Sequence, residues 1–148
     1  MITSSSVTIG APADVVWDVF TDVEHWPEWT ASVTRLVGLD GPDLTVGHRF
    51  EIDQPRMPTL RWQVTEVVPH SSWTWVQRSP GGVTTARHHV SATAETSTVV
   101  SQELDQSGFV GAAVGMLMRR MTKRYLEMEG QGLKARSEGL WKLRGPAT

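Results

Sequence analysis

The side chains to weigh first for chemistry are five histidines, His25, His48, His70, His88 and His89, together with a handful of carboxylates on apolar segments. No two histidines stand four apart, as a helical metal site requires, and the chain has no cysteine, so neither a metal centre nor thiolate chemistry is expected. Gly-x-Ser-x-Gly, His-Glu-x-x-His and Gly-x-Gly-x-x-Gly are all absent. What remains is acid/base chemistry. His88 and His89 are neighbours in an extended segment and must point to opposite faces. The even positions Ala86, His88, Val90 and Ala92 are more apolar than Arg87, His89, Ser91 and Thr93, and Val100 and Leu104 mark the even set of the next segment. That parity turns His88 and Gln102 inward; a one-residue slip would turn Arg87 and His89 inward instead. An inward His88 is open to two readings, a core histidine satisfied by a neighbour such as Gln102, or a polar anchor or acid/base group for a ligand. Glu66 shares the inward parity of its own segment. Buried, it would be a general-base candidate beside Arg61 or Arg87; near Pro69, beyond the sheet's edge, it would simply be solvated.

These residues need a sheet to hold them. Alternating segments are expected at 3–9, 31–39, 47–53, 59–68, 72–78, 83–93 and 98–106, separated by turn chemistry such as Asp40-Gly41-Pro42 and Ser79-Pro80-Gly81-Gly82. Short strands this regularly spaced imply an antiparallel meander. After the first strand, Ala11-Pro12-Ala13-Asp14 opens a short helix whose Val15, Val16, Val19, Phe20 and Val23 recur at helical spacing, and His25 to Trp29 make a second helical turn. From Phe109 to about Ser137 the stripe Val110, Val114, Leu117, Met118, Met121, Tyr125 and Met128 predicts one long amphipathic helix. Gly111 and Gly115 in its first turns stand for close packing or for space beside a cavity, and Gly130 and Gly132 mark a place where it would bend.

Composition bounds the rest. A chain of 148 residues fits one domain, 1–148, able to bury ~70% of its unfolded surface. Without cysteine the fold rests on packing, and a cytoplasmic location is expected. The N-terminus lacks the pattern of a secretory signal. Phe109–Met118, the longest apolar stretch, is far short of the ~20 residues that span a bilayer, so no transmembrane segment is expected. The formal net charge of −2 divides into −7 over residues 1–118 and +5 over 119–148. A basic face packed against an acidic body accounts for this, and no nucleic-acid partner is expected.

Ala11-Pro12-Ala13-Asp14-Val15-Val16-Trp17-Asp18-Val19, Asp22 to Trp29, Gly47-His48-Arg49-Phe50, Val64 to Pro69 and the helix from Gly108 to Gly132-Leu133-Lys134 resemble the START-like (SRPBCC) superfamily, in its polyketide cyclase/dehydrase and lipid-transport branch. The resemblance runs over nearly the whole chain. It implies an α+β helix-grip fold: a bent seven-stranded antiparallel sheet wrapped around a long C-terminal helix, two short helices after strand 1, and a cavity between sheet and helix for a hydrophobic or aromatic small molecule. It does not select an activity, since one fold hosts carriers and enzymes alike.

Parity and the helix stripe nominate Phe50, Ile52, Leu60, Trp62, Trp75, His88, Val90, Gln102, Leu104, Val114, Leu117 and Met121 as ligand-binding. The leading expectation is a non-enzymatic protein that carries or sequesters such a molecule, without cofactor. Its alternative is a cyclase or dehydratase using the same cavity, with His88 as acid/base and Glu66 as second candidate. A weak homodimer is left open, as is docking of the basic helix end on a partner, and Trp141 is open to docking on a partner or on the body of the protein.

Overall fold

A computed structural model describes residues 1–144. Seven strands form one antiparallel sheet: β1 (Ile2–Ile9), β2 (Arg35–Gly38), β3 (Arg49–Asp53), β4 (Leu60–Val68), β5 (Ser72–Ser79), β6 (Gly82–Ala94) and β7 (Ser97–Ser107). Their spatial order is β1-β7-β6-β5-β4-β3-β2, so the first strand returns beside the last and the remainder is a meander. α1 (Ala13–Thr21) and a 3-10 helix (Val23–Glu28) follow β1. α2 (Phe109–Leu117) and α3 (Arg119–Leu143) close the chain. This is the α+β helix-grip architecture, a sheet curved around a C-terminal helix. No helix among the described residues is long and apolar enough to cross a membrane.

The strand periodicity has a direct structural counterpart. Phe50, Ile52, Trp62, Val64, Trp73, Trp75, Ala86, His88, Val90, Val100 and Gln102 are buried on the concave face. β4 departs from strict alternation: a bulge between Val64 and Glu66 shifts the register against β5, so Val67 pairs with Trp73 and packs toward the core while Glu66 turns out to solvent. Glu66 is therefore not a buried base, and the bulge is the reason.

The closing helix differs from the sequence reading: it is interrupted at Met118 (φ −102°, ψ 11°), so α2 and α3 are separate helices. α3 continues through Gly130 and Gly132 without a break, from Arg119 to Leu143. These glycines serve proximity. A Cβ on Gly132 would lie 2.0 Å from the Trp29 carbonyl oxygen, whereas one on Gly130 would meet Val7 at an ordinary 3.5 Å. The missing side chain at 132 lets α3 seat directly on the end of the 3-10 helix, with Leu133 and Ser137 fully buried beside it.

Three of the eight basic residues of 119–148 tie α3 to its neighbours. Lys134 Nζ donates to the Thr8 carbonyl (3.2 Å) and pairs with Glu138 (2.6 Å), whose carboxylate in turn accepts the Gly10 N–H (2.7 Å). Arg136 pairs with Glu28 at 3.0 Å, and Lys123 donates to the Ser4 carbonyl. Of the two placements open to Trp141 it takes the body, packing against the core cluster; residues 145–148 of the tail lie outside the described residues.

Gly132→Ala is expected to destabilise the protein by about 3 kcal/mol or more, because backbone cannot yield to the new methyl group. Gly130→Ala is expected to be neutral or to stabilise by up to ~1 kcal/mol. Chemical denaturation of both variants checks the pair; equal effects would mean that contact with Trp29 does not set the helix position.

Candidate ligand cavity

Between the concave face of the sheet and the N-terminal half of α3 lies a cavity of about 260 Å³. Each wall follows from strand parity. β3 and β4 contribute Ile52, Leu60 and Trp62, β5 contributes Trp75 and Gln77, β6 contributes Ala86 and His88, and β7 contributes Gln102, Leu104 and Gln106. Trp26 of the 3-10 helix joins them, and the helical wall is Val114, Met118, Thr122, Tyr125, Leu126 and Glu129. Burial is graded along it. Trp26, Trp75, His88, Gln102 and Glu129 are buried, whereas Pro58, Ser79 and Val114 are exposed at the rim. The mouth therefore lies by α2 and the β3–β4 loop, and the titratable groups of the lining, His88 and Glu129, lie at the buried end.

His88 is held by its surroundings. Its Nδ1 lies 3.1 Å from the Trp73 carbonyl, which can only accept, so Nδ1 carries the proton and Nε2 is left with a lone pair. Its ring stacks on Trp73 with centroids 3.5 Å apart and planes 8° apart, and Phe20 and Trp26 meet it edge-on. Gln102 stands directly across on β7, but the ring's partner is the Trp73 backbone. Burial pushes His88 down to about 3, against a smaller upward effect of that hydrogen bond, so the ring is neutral at physiological pH.

Glu129 is the group that sequence reasoning missed. Its side chain is 93% withdrawn from solvent, with a relative exposure of 7%. It lines the cavity, and burial alone pushes it up to about 8. No charged neighbour offsets that burial. The buried face of α3 is Leu126, Glu129, Gly130, Leu133 and Ser137, a helical spacing that places Glu129 between two leucines. Glu129 also continues the cavity-lining face Val114, Met118, Thr122 and Tyr125 at helical spacing, so its position was legible from a stripe phased through Met118.

Two nominated residues lie off that face. Leu117 is 87% exposed at the end of α2, and Met121 faces a separate surface depression with Arg120, Arg124 and Pro55. Phe50 and Val90 are buried in the core but do not line the cavity. Ile52, Leu60, Trp62, Trp75, His88, Gln102, Leu104 and Val114 do line it. The glycines of α2 answer to packing: a Cβ on Gly115 would fall 2.8 Å from Gln106 Oε1, and one on Gly111 3.3 Å from Gly82 Cα. Among the described residues no cluster of three His, Asp or Glu is placed to hold a metal ion.

Residues 2–138 match the family model described as polyketide cyclase/dehydrase and lipid transport. The chain belongs to that family. Its fold resembles a hypothetical protein of Helicobacter pylori (16% identity, TM-score 0.77, covering 93% of this chain and 88% of that one). It also resembles a START superfamily protein of Mycobacterium smegmatis (15% identity, TM-score 0.67, covering 94% and 98%). A third likeness is to the di-domain ARO/CYC protein StfQ of the steffimycin biosynthetic pathway (16% identity, TM-score 0.73, covering 94% of this chain and 51% of that one). At these identities the likeness is one of fold. No curated protein matches the chain.

The two buried groups give this family member a pH signature. Unfolded, Glu129 ionises from about 4.5, but folded it keeps its proton to about 8, so stability is lost progressively as pH rises between those values. His88 acts in the opposite direction: the unfolded chain takes up a proton below 6.5 that the folded state refuses until about 3, so stability is lost as pH falls through that window. Glu129→Leu is expected to stabilise the protein by about 3 kcal/mol at pH 7.5 and by less than ~1 kcal/mol at pH 4.5. Thermal unfolding at both pH values measures this; an equal gain at both would show that Glu129 carries no burial penalty.

Proposed function

We propose that the protein binds a hydrophobic or aromatic small molecule in the cavity between sheet and α3, as a carrier or sequestering protein. The observation that carries this reading is the cavity itself. It is walled by Trp26, Trp62, Trp75, Leu60, Leu104 and Leu126, has its mouth at α2, and presents neutral or neutralised polar groups at its closed end. Its volume is close to the lower end of the roughly 300–1,000 Å³ expected of small-molecule sites. Flat indole walls favour a flat ligand, since stacking adds to the gain from burying apolar area.

The enzymatic reading, a cyclase or dehydratase with His88 as acid/base, draws on the family and on the likeness to an ARO/CYC fold. One observation weighs against His88 in that role: a ring held near 3 is a weak proton acceptor at neutral pH. Any acid/base duty in the cavity falls more naturally to Glu129, whose ionisation lies near the working range.

Native mass spectrometry of the freshly purified protein tests the binding reading. A co-purifying molecule of a few hundred daltons, on the order of the cavity's capacity, is the expected result. In Leu104→Trp, which fills the cavity from the β7 wall, that mass should disappear and affinity for a neutral aromatic probe should fall by at least ~10-fold, with the fold retained at a cost of about 1–3 kcal/mol. Undiminished binding by the folded variant would place the ligand elsewhere.

A further inference from the structure

The closed end of the cavity contains a carboxyl group with nothing to balance it. The elements around Glu129 supply no cation. β1, which packs along α3, has no ionisable side chain from Ile2 to Ile9. On the sheet side β6 presents the neutral His88, and β7 presents Gln102, Leu104 and Gln106. β3, β4 and β5 present Ile52, Leu60, Trp62, Trp75 and Gln77, and the 3-10 helix presents Trp26. On α3 itself Tyr125 lines the cavity one turn away, its hydroxyl donating to the Pro55 carbonyl. Lys123, Lys134 and Arg136 of α3 are engaged with Ser4, Glu138 and Glu28. α1, which also packs on α3, directs Asp18 to a different depression, beside Arg136.

A carboxylate in such a place would have to be matched by a cationic ligand, and both charges would be stripped of water to form one pair. A neutral carboxylic acid needs no such match and can donate one strong hydrogen bond. The other walls fit that alternative: His88 Nε2 and the glutamine amides are neutral hydrogen-bonding groups. We propose that Glu129 is the ligand-anchoring group of the cavity and acts as a hydrogen-bond donor, so that the bound molecule is neutral, largely aromatic, and carries a carbonyl oxygen at its buried end. This rests on the ligand-binding reading of the cavity and adds to it the polarity of the ligand and the residue that reads it. Because the anchor is a donor only while protonated, carbonyl recognition weakens in alkaline solution.

Three naphthalene probes of similar shape separate the possibilities by isothermal titration calorimetry at pH 6.5 and 9.0: 2-acetylnaphthalene, 2-ethylnaphthalene and 1-(2-naphthyl)ethylamine. In the wild-type protein the ketone should bind about tenfold tighter than the hydrocarbon at pH 6.5, the effect of one hydrogen bond to a buried donor. With Glu129 ionising near 8, most of that preference should vanish at pH 9.0. Glu129→Gln, whose amide donates at any pH, should keep the preference at both pH values, and Glu129→Leu should lose it at both. A preference that survives in Glu129→Leu, or that persists at pH 9.0 in the wild type, overturns the proposal. So does tightest binding of the amine with affinity rising toward pH 9.0, which would make Glu129 a reader of cations. If the hydrocarbon and the ketone both fail to bind any folded variant, the cavity reading itself fails and takes this assignment with it.

Discussion

Everything in this molecule depends on the close seating of α3 at Gly132. Around Gly132 the helix backbone reaches the Trp29 carbonyl, and Leu133 and Ser137 are completely enclosed. Toward its N-terminus α3 borders the cavity, held by Lys123 on the Ser4 carbonyl and by Tyr125 on the Pro55 carbonyl, while the glycines of α2 pack on Gly82 and Gln106. A curved sheet presents more apolar surface on its concave side than one helix seated at one end can cover. The uncovered part is the cavity. Its closed end is deep because the helix is tight there, and its mouth lies where α2 leaves large apolar side chains in solvent.

The electrostatics follow from the same geometry. Desolvation at the closed end acts on whatever titratable groups lie there, and it acts in opposite directions on an imidazole and a carboxyl. His88 is pressed into its neutral form and Glu129 into its protonated form, so the cavity carries no net charge near neutral pH. Polar atoms there remain as donors and acceptors. Such a lining discriminates between ligands by the placement of hydrogen bonds, with apolar burial supplying most of the affinity.

The strands were legible because period-two alternation survives wherever one face is buried, and the inward placement of His88 and Gln102 could be read from their apolar neighbours alone. Glu66 shows the limit of that reasoning: a bulge at one residue reverses parity beyond it, and nothing in Val64 to Val67 announces it. Glu129 shows a second limit. A helix stripe assigns faces only to within its width: the stripe from Val110 to Met128 spans two neighbouring faces, and the one that lines the cavity, Val114, Met118, Thr122 and Tyr125, continues to Glu129 while Leu117 and Met121 lie on the other.

By itself the sequence determined the order of elements, the antiparallel meander, the apolar concave face and the family, because these follow from local periodicity, turn chemistry and residues shared along the chain. Only the tertiary structure decided where the helix stands off the sheet, which residues edge the resulting space, and that a glutamate lies inside it. Those outcomes turn on contacts between residues about a hundred apart, Trp29 with Gly132 and the sheet with α3. No local pattern records the distance across such a contact, and burial, which decides the state of Glu129, is a property of that distance.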